Sequence, residues 1–453
     1  MSRPDRETLR AWDIAHVWHP FTPLADWADS EPTVIERAEG CHLFDTEGIR
    51  YLDGVSSLWC NVHGHRHPAL DAAIRGQLDR VAHSTLLGLT HPSAIELARR
   101  LVELAPEGLT RVFFSDDGAT AVEVALKMAF QYWRQKPDPE PSRTRFIALG
   151  DAYHGDTLGD VSVGGVARFH AMFGPLLFPS LRAPAPHCYR CPLGMTREQC
   201  RIDCLGEVEK LLIAHPGEIA AVVVEPLVQG AAGMIVHPEG YLTGLRDLTR
   251  KYGTLLIADE VAVGFGRTGM LFACEHEEVS PDFLCLAKGL TGGYLPLAAT
   301  LTTDAVYSAF YGRVADGKTF YHGHTYGGNP LGAAVALATL KVFDDEDTLA
   351  AMRPKVDRLA GWLAEMADHP LVGDVRHRGL IAGVELVADK ASKEPFPWER
   401  QLGAEVCRRA RGHGLFIRPL GDVLVIMPPL AISSEQLDEM FAIIHRSLDE
   451  VTP

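Results

Sequence analysis

The chain has 453 residues, of which 47% are hydrophobic and 23% are charged. This balance is typical of a packed globular protein and excludes intrinsic disorder, collagen and coiled coils. Lys and Arg number 43 against 59 Asp and Glu, and a net charge of −16 without a basic block argues against binding along a nucleic-acid backbone.

The sequence also predicts where the protein works. The charged N-terminus is followed by no apolar core, so we expect no signal peptide. The most apolar stretch, 219–228, is far shorter than the ~20 residues that cross a bilayer. Nine Cys in so long a chain do not fit a secreted disulfide scaffold. We therefore expect a cytoplasmic protein that binds no membrane.

In chain order, the predicted elements begin with turn-rich strands at 33–37 and 42–45. A helix follows at 93–105, where Ser93 and Glu96 have the spacing of a capping box. Further helices are predicted from Gly118 onward and over 241–252. Between the helices lie continuous apolar runs, as in strands buried on both faces of a parallel sheet, at 111–115, 145–150, 220–227, 254–261 and 283–288. This alternation predicts βαβ crossovers and an α/β fold.

The pattern changes at residue 329. Long helical stretches at 330–343 and 349–366 precede short strand-like pieces at 379–386, 415–419 and 423–427, which together indicate a smaller α+β domain. We predict three parts of the chain: an N-terminal segment that packs with the small domain, a large α/β domain with a mostly parallel sheet flanked by helices, and the small domain, at 1–62, 63–328 and 329–453.

The strongest chemical pattern joins Asp259 and Lys288, which end two successive apolar runs. Open α/β sheets bind ligands beyond the carboxyl ends of their strands, so both side chains are expected in one crevice. An amine and a carboxylate placed there are what pyridoxal phosphate needs: the Lys forms a Schiff base and the Asp pairs with the ring nitrogen. The alternative is a salt bridge at the sheet edge.

Three further segments could serve the same cofactor. Gly118 and Ala119 open a helix after a strand, where free backbone amides hold phosphate, although a plain turn would look the same. Tyr153 could stack on a planar ring or simply fill a gap. The Gly-rich loop at 322–330 is a second possible phosphate cradle, or an ordinary interdomain loop.

Two patterns point elsewhere. The segment 264–269 matches G-x-G-x-x-G, but no convincing crossover helix follows and the next strand ends in Lys288, where a ribose-binding acid belongs. A dinucleotide site is therefore not expected. The spacing C-x2-C-x8-C-x3-C could hold zinc or an iron–sulfur centre, but the loop-like sequence favours reduced thiols and we predict no metal; the four residues are Cys188, Cys191, Cys200 and Cys204.

Taken together, these motifs resemble those of the class III aminotransferases, which are fold type I pyridoxal-phosphate enzymes, across nearly the whole chain. The segments that carry the resemblance are Trp18-His-Pro-Phe-Thr22, Asp53-Gly-Val-Ser-Ser-Leu-Trp59, 121–129, Tyr153-His-Gly-Asp-Thr157, 259–269, 287–293 and His322-Gly-His-Thr325. The segments at 18–22 and 56–59 are similar to those of the 8-amino-7-oxononanoate aminotransferases of the biotin pathway, also called diaminopelargonate synthases.

The resemblance implies a role for each matching residue. Lys288 would be the Schiff-base lysine, Asp259 the partner of the ring nitrogen and Tyr153 a residue stacked near the ring. The resemblance places Gly118 and Ala119 at the phosphate turn. It also implies a homodimer with active sites at the interface, in which Thr325, with His324, reaches the phosphate of the neighbouring subunit. Substrate-binding positions match Trp59, Gly323, Arg418 and Phe21, and the guanidinium of Arg418 would bind the carboxylate of the oxononanoate.

The amino donor stays open at this point. Members that use S-adenosylmethionine usually have Tyr at the position of Phe21, commonly Tyr at Val425, and Ser at Ala119. Some members use lysine instead. The resemblance therefore predicts transamination of 8-amino-7-oxononanoate to 7,8-diaminononanoate, with S-adenosylmethionine or lysine as donor. The nearest alternative is a class III transaminase acting on 4-aminobutyrate or a diamine, and a more distant one is an aminomutase or epimerase.

Overall fold

A computed structural model describes residues 4–451 of the chain. Its α-helices are α1 (Arg6–His16), α2 (Leu24–Asp29), α3 (Ser56–Trp59), α4 (Pro68–Leu78), α5 (Pro92–Leu104), α6 (Gly118–Gln135), α7 (Leu158–Val163), α8 (Ala167–His170), α9 (Cys204–Ala214), α10 (Tyr241–Lys251), α11 (Asp304–Phe310), α12 (Pro330–Asp345), α13 (Thr348–Met366), α14 (Leu402–Gly412) and α15 (Ser434–Asp449). Its strands are β1 (Ile35–Glu39), β2 (His42–Asp45), β3 (Arg50–Asp53), β4 (Leu109–Ser115), β5 (Arg145–Leu149), β6 (Leu181–Ala183), β7 (Ile219–Val224), β8 (Val228–Gln229), β9 (Ile235–Val236), β10 (Leu255–Asp259), β11 (Phe283–Leu286), β12 (Ala298–Thr303), β13 (Val372–Arg378), β14 (Ile381–Leu386), β15 (Leu415–Phe416), β16 (Arg418–Leu420) and β17 (Val423–Ile426).

A seven-stranded sheet forms the centre of the fold, in the order β4-β12-β11-β10-β7-β5-β6. From β11 to β6 every pairing is parallel, whereas β12 is antiparallel to both of its neighbours. All residues of β7 and β10 are buried, which explains why these strands read as unbroken apolar runs. The predicted α/β fold with a mostly parallel sheet is confirmed, and β12 is an antiparallel strand that the apolar runs did not predict.

Helix α6 packs on this sheet and shows how the chain starts a helix at a strand end. Asp117 is its N-cap, accepting a hydrogen bond from the amide of Thr120 at 2.9 Å in a reciprocal capping box. The capping box predicted for α5 is wrong. That helix begins at Pro92, with the ring of His91 accepting from the amide of Ala94 at 3.2 Å, while Ser93 donates to Gln77 instead.

The remaining strands join the two ends of the chain. One sheet has the order β1-β2-β3-β15, in which Leu415 pairs in parallel with Leu52. A second sheet has the order β13-β14-β17-β16 and contains only C-terminal strands. The N-terminal strands are thus continuous with a strand from the C-terminal part. The domain boundaries at 62 and 328 stay a prediction.

Arg267 connects these layers. Its side chain is buried and donates hydrogen bonds to the carbonyl oxygens of Pro428 and Asn61 and to the hydroxyl of Ser56. Burial lowers the pKa of Arg267 to about 10. Because one guanidinium links the loop after β10, the segment around α3 and the segment after β17, these three parts of the chain are held in a fixed relation.

Asp282 holds α10 against the sheet. It precedes β11 and accepts two hydrogen bonds from the guanidinium of Arg246, at 2.7 and 3.2 Å, and one from the amide of Leu256 in β10 at 2.8 Å. Both members of the ion pair are largely buried. Asp282 therefore joins one helix and two strands through a single carboxylate.

Replacing Asp282 with Asn is expected to lower the free energy of unfolding by about 2 kcal/mol, since a hydrogen bond to a charged group contributes about 1.5–3 kcal/mol. The matched control is Asp345→Asn, which removes an ion pair with Lys341 in which both side chains are more than half exposed. That control should lose under about 0.5 kcal/mol. Urea unfolding followed by circular dichroism measures both, and equal losses would contradict the prediction.

Candidate active site

A cavity of about 680 Å³ lies at the carboxyl ends of β4, β5, β7, β10 and β11. Its wall includes six of the residues singled out in the sequence, namely Trp59, Gly118, Ala119, Tyr153, Asp259 and Lys288. They come from four separate strand ends and from the segment of α3, as expected for an open α/β sheet that binds its ligand at this edge. The volume is in the range of about 300–1,000 Å³ that small-molecule sites occupy.

Other predicted site residues do not line this cavity. Phe21, Gly323, His324, Thr325 and Arg418 are absent from its wall as described by residues 4–451. Phe21, Gly323, Thr325 and Arg418 are exposed, and His324 is half-buried with its Nδ1 3.0 Å from Asp116. Their roles stay predictions.

Lys288 follows β11 and faces the cavity with a left-handed backbone, φ 45°. Its side chain is reached from the cavity, but the amine lies deep among protein atoms, and this desolvation lowers the pKa of Lys288. Asp259 and Glu225 act in the opposite direction, since a negative charge favours the ammonium form. The net effect increases the fraction of unprotonated, nucleophilic amine at neutral pH.

Trp59 forms the wall opposite the amine, and the Nζ of Lys288 lies 5.0 Å from its ring centroid. The segment that carries Trp59 is strained, because Ser56, Ser57 and Trp59 all have positive φ, at 53°, 62° and 64°. The amide of Ser57 donates to Asp53 at 2.8 Å, which helps to hold this conformation. The strained segment presents a large aromatic ring to the reactive amine.

Asp259 ends β10 and is buried. One carboxylate oxygen, Oδ2, lies 2.7 Å from Nδ1 of His154, and the other, Oδ1, accepts a hydrogen bond from the amide of Val261 at 3.0 Å. The carboxylate is therefore fixed by two different parts of the chain before any ligand enters. An anion at this place suits a cationic ring nitrogen.

The N-terminus of α6 opens into the cavity at Gly118 and Ala119. A Cβ added to Gly118 would lie 2.4 Å from Cγ1 of Val261, so no larger residue fits there. The first amides of a helix have no partner within the helix and carry a partial positive charge. This turn has the backbone approach and the free donors that a phosphate group needs.

Tyr153 lines the cavity after β5, and burial raises its pKa. Its hydroxyl donates to Asp156 at 2.8 Å, and its amide donates to Glu225 at 3.0 Å. Glu225 also accepts from the amide of Gly230 at 2.8 Å, and burial raises the pKa of Glu225 to about 7.

Sequence reasoning missed Glu225 and His154 as functional residues. The signal for Glu225 was a charged residue directly after an unbroken apolar run, at the same strand edge as Asp259. The signal for His154 was its place next to Tyr153, but nothing in the sequence showed which carboxylate it would meet. The contact between Tyr153 and Glu225 joins residues 72 positions apart, and the contact between His154 and Asp259 joins residues 105 positions apart.

The four cysteines of the 188–204 segment do not face the main cavity. They line a separate space of about 20 Å³, and no disulfide joins them. Among residues 4–451, no group of three or more His, Cys, Asp or Glu is arranged to hold a metal ion. The G-x-G-x-x-G segment is instead the loop that carries the buried Arg267.

None of the helices in the described part of the chain is long and apolar enough to cross a membrane.

Comparison with known proteins identifies close relatives. The family model for "Aminotransferase class-III" matches residues 24–448. The adenosylmethionine-8-amino-7-oxononanoate aminotransferase of Nitratidesulfovibrio vulgaris is 59% identical over 98% of this chain and 82% of its own length. The protein of the same name from Geobacter sulfurreducens is 55% identical over 99% of both chains.

Solved structures agree with these relatives. The crystal structure of adenosylmethionine-8-amino-7-oxononanoate aminotransferase from Methanocaldococcus jannaschii matches with a TM-score of 0.94 and 42% identity, covering 99% of this chain and 100% of that one. An omega transaminase from Pseudomonas jessenii, solved in complex with PMP, matches with a TM-score of 0.92 and 34% identity over 98% of both chains.

The raised pKa of Glu225 makes stability depend on pH. Between its unfolded value of 4.5 and its folded value of about 7, the folded protein keeps a proton that the unfolded chain releases, so stability falls as pH rises through this window. At 1.36 kcal/mol per unit, the contribution is about 3 kcal/mol. Glu225→Gln removes this slope, and the variant should therefore gain about 3 kcal/mol relative to wild type between pH 4.5 and 7.5.

Urea unfolding of both proteins at the two pH values measures this difference. The amide of Gln also loses one acceptor for the two backbone donors, a cost that is the same at each pH and cancels in the comparison. Glu260→Gln is a reference outside the cavity: burial raises the pKa of Glu260 to about 7, and its carboxylate accepts from the amides of Ala273 and Cys274. A difference that does not change with pH in the Glu225 variant would show the prediction to be wrong.

Proposed function

The chain belongs to the class III aminotransferases, and on that basis we propose that it transfers an amino group from S-adenosylmethionine to 8-amino-7-oxononanoate, giving 7,8-diaminononanoate in biotin biosynthesis. The observation that carries the proposal is the pairing of a desolvated amine, Lys288, with a fixed buried carboxylate, Asp259, in one cavity. The names of relatives at 59% and 55% identity support the substrate and the donor.

Class III aminotransferases are pyridoxal-phosphate enzymes, and the residues of the cavity fit that group. Lys288 would hold it covalently, Asp259 would pair with its ring nitrogen, and Tyr153 would lie against the ring. The amides of Gly118 and Ala119 would receive its phosphate, in a turn that a Cβ at Gly118 would fill. When bound, the cofactor supplies an aldehyde that takes up amines and a ring that stores the electrons released at the reacting carbon.

The chain's own residues supply the remaining chemistry. The Nζ of Lys288 is the group in the cavity suited to take a proton from the carbon that bears the donor amine and to return it one position away. Asp259, held by His154 and Val261, would place its carboxylate against the ring nitrogen and favour the protonated form of that nitrogen. Trp59 lies over the amine, with its ring centroid 5.0 Å from Nζ, and limits the space around it. Because donor and acceptor use the same cavity in turn, kinetics should be ping-pong.

We propose a homodimer that completes the site. Gly323 and Thr325 are exposed and lie outside their own cavity, as expected of residues that serve a neighbouring subunit. Large apolar side chains near them are exposed as well, with Tyr321 83% and Tyr326 60% accessible. Exposed apolar clusters of this kind mark protein interfaces. The protein is proposed to work in the cytoplasm.

An omega-amino-acid transaminase is the alternative that the scaffold allows, but the observations favour it less. The omega transaminase from Pseudomonas jessenii is 34% identical, against 59% for the adenosylmethionine-8-amino-7-oxononanoate aminotransferase of Nitratidesulfovibrio vulgaris. Both fit the same cavity chemistry, and the choice of donor and acceptor is decided by experiment.

The first experiment adds pyridoxal phosphate to the purified protein and records its absorption spectrum. We expect a visible band that S-adenosylmethionine bleaches and that borohydride reduction fixes on a peptide containing Lys288. Lys288→Ala should show neither the covalent label nor turnover with 8-amino-7-oxononanoate. Absence of the band in wild type would overturn the proposal.

The same absorption measurements, repeated with different amines, identify the amino donor. Bleaching by lysine but not by S-adenosylmethionine would make lysine the donor, consistent with Phe21 and Val425 replacing tyrosines. A band bleached only by 4-aminobutyrate or a diamine would establish the omega transaminase instead.

Arg418→Leu tests the proposed acceptor site. We expect KM for 8-amino-7-oxononanoate to rise about tenfold or more, because an ion pair with its carboxylate is lost, while bleaching by the donor is unchanged. Arg408→Leu, on the exposed face of α14, is the matched control and should leave both values unchanged. Steady-state kinetics with the acceptor varied measure the effect, and an unchanged KM in the first variant would remove Arg418 from the acceptor site.

A further inference from the structure

His154 forms a buried contact that the proposed reaction does not by itself require. Its Nδ1 lies 2.7 Å from Oδ2 of Asp259, and the two side chains are 0% and 4% exposed. A neutral or charged imidazole can donate from Nδ1, and the carboxylate can only accept. The contact is therefore an Nδ1–H donated to Oδ2, in a place from which water is excluded.

The backbone around His154 is fixed on both sides. Before it, the amide of Tyr153 donates to Glu225 at 3.0 Å, and Glu225 is held in turn by the amide of Gly230 at 2.8 Å. After it, a Cβ on Gly155 would lie 2.4 Å from both the Cβ of Ala119 and Oδ2 of Asp160. His154 thus has little freedom to move away from Asp259, and the hydrogen bond has a preset direction.

Two other carboxyl groups lie near Asp259, those of Glu225 and Asp160, and among residues 4–451 neither receives a hydrogen bond from an imidazole. Burial raises the pKa of Glu225 to about 7 and that of Asp160 to about 10, and the charge of Asp259 adds to both shifts. Neither oxygen of Asp160 has a hydrogen-bond partner in the described part of the chain. Of the three acidic side chains, Asp259 is the one that receives a hydrogen bond from an imidazole.

We infer that His154 is a positioning residue for Asp259: its Nδ1–H holds the carboxylate in the orientation in which it meets the cofactor ring. The inference rests on the proposed function, because it assigns a purpose to the orientation of Asp259. Val261 fixes the second oxygen, so loss of the donor from His154 frees the carboxylate to rotate about one remaining hydrogen bond. At metal sites, a residue that supports a ligand in this way typically changes the affinity by about 10- to 100-fold, and we expect a change of this order for the cofactor.

Two substitutions separate positioning from packing. His154→Asn keeps an N–H donor close to the place of Nδ1 but is smaller, whereas His154→Leu keeps most of the volume and has no donor. If His154 positions Asp259, Asn is the milder change. If His154 only fills space, Leu is the milder change.

His237 supplies the matched controls. It is also buried, neither of its ring nitrogens has a hydrogen-bond partner in the described structure, and it lies outside the wall of the main cavity. His237→Asn and His237→Leu therefore show what a buried histidine costs when no carboxylate depends on it. Their thermal midpoints calibrate the stability loss expected from packing alone.

The measurements are the dissociation constant for pyridoxal phosphate by equilibrium dialysis and the position of the visible band at one pH. We expect His154→Leu to weaken binding at least tenfold and to shift the band, and His154→Asn to weaken binding less than threefold. Both His237 variants should bind the cofactor as wild type does. Equal losses in the two His154 variants, or a milder effect of Leu, would overturn the inference.

A readout that needs no cofactor accompanies these. Proton NMR of the cofactor-free protein should show a downfield imidazole N–H resonance that His154→Asn removes and His237→Asn retains. Its absence from wild type would overturn the inference even if the enzyme is active. Failure of wild type to bind pyridoxal phosphate overturns the proposed function together with the inference, whereas normal binding by His154→Leu overturns the inference alone.

Discussion

The arrangement of this site follows from the free-energy cost of removing ionisable groups from water. Lys288, Asp259 and Glu225 face one cavity, and an unpaired charge there would be destabilising. The chain meets the cost with fixed donors: each oxygen of Asp259 and each oxygen of Glu225 has an N–H at 2.7–3.0 Å. Lys288 has no hydrogen-bond acceptor in the described structure, and desolvation outweighs the charges of Asp259 and Glu225, so the pKa of Lys288 is lowered. Of these three residues, the one without a hydrogen-bond partner is the one whose chemistry needs an unprotonated amine.

These donors come from distant parts of the chain, so the site forms only when those parts are folded together. Arg267 shows how this is achieved, because its buried guanidinium bonds to carbonyls of Asn61 and Pro428 as well as to Ser56. Ser56 belongs to the strained segment that carries Trp59, and strain of this kind persists only where the surroundings over-determine the backbone. The wall opposite the reactive amine is therefore set by contacts made outside the cavity.

Much of the fold could be predicted because buried parallel strands are unbroken apolar runs, and five such runs are strands of the central sheet. Strand β12 escaped because it contains Thr300 and Thr302, which are buried with their hydroxyls donating to the carbonyls of Ala121 and Asp282. In the sequence, a threonine interrupts the apolar run and suggests an exposed position. Its burial becomes understandable only when the distant carbonyl that accepts its hydrogen bond is known. The N-cap of α5 was predicted at the wrong residue for a related reason, since the ring of His91 accepts the capping hydrogen bond that is usually accepted by a hydroxyl or carboxylate.

The residues of the site likewise include some that the sequence predicts and some that it does not. Groups at strand ends, such as Lys288 and Asp259, could be found from the sequence because topology alone brings strand ends to one edge. Pairings such as His154 with Asp259 could not, since they depend on the register of two loops. Residues outside the cavity of a single chain, such as Thr325 and Arg418, form a third kind. The residues proposed to carry the chemistry thus line the cavity of a single chain, whereas Phe21, Gly323, Thr325 and Arg418 are exposed. The hydrogen bonds that hold the carboxylate of Asp259 involve none of these exposed residues. A site supported in this way is compatible with one fold shared by an 8-amino-7-oxononanoate aminotransferase and an omega transaminase, at TM-scores of 0.94 and 0.92.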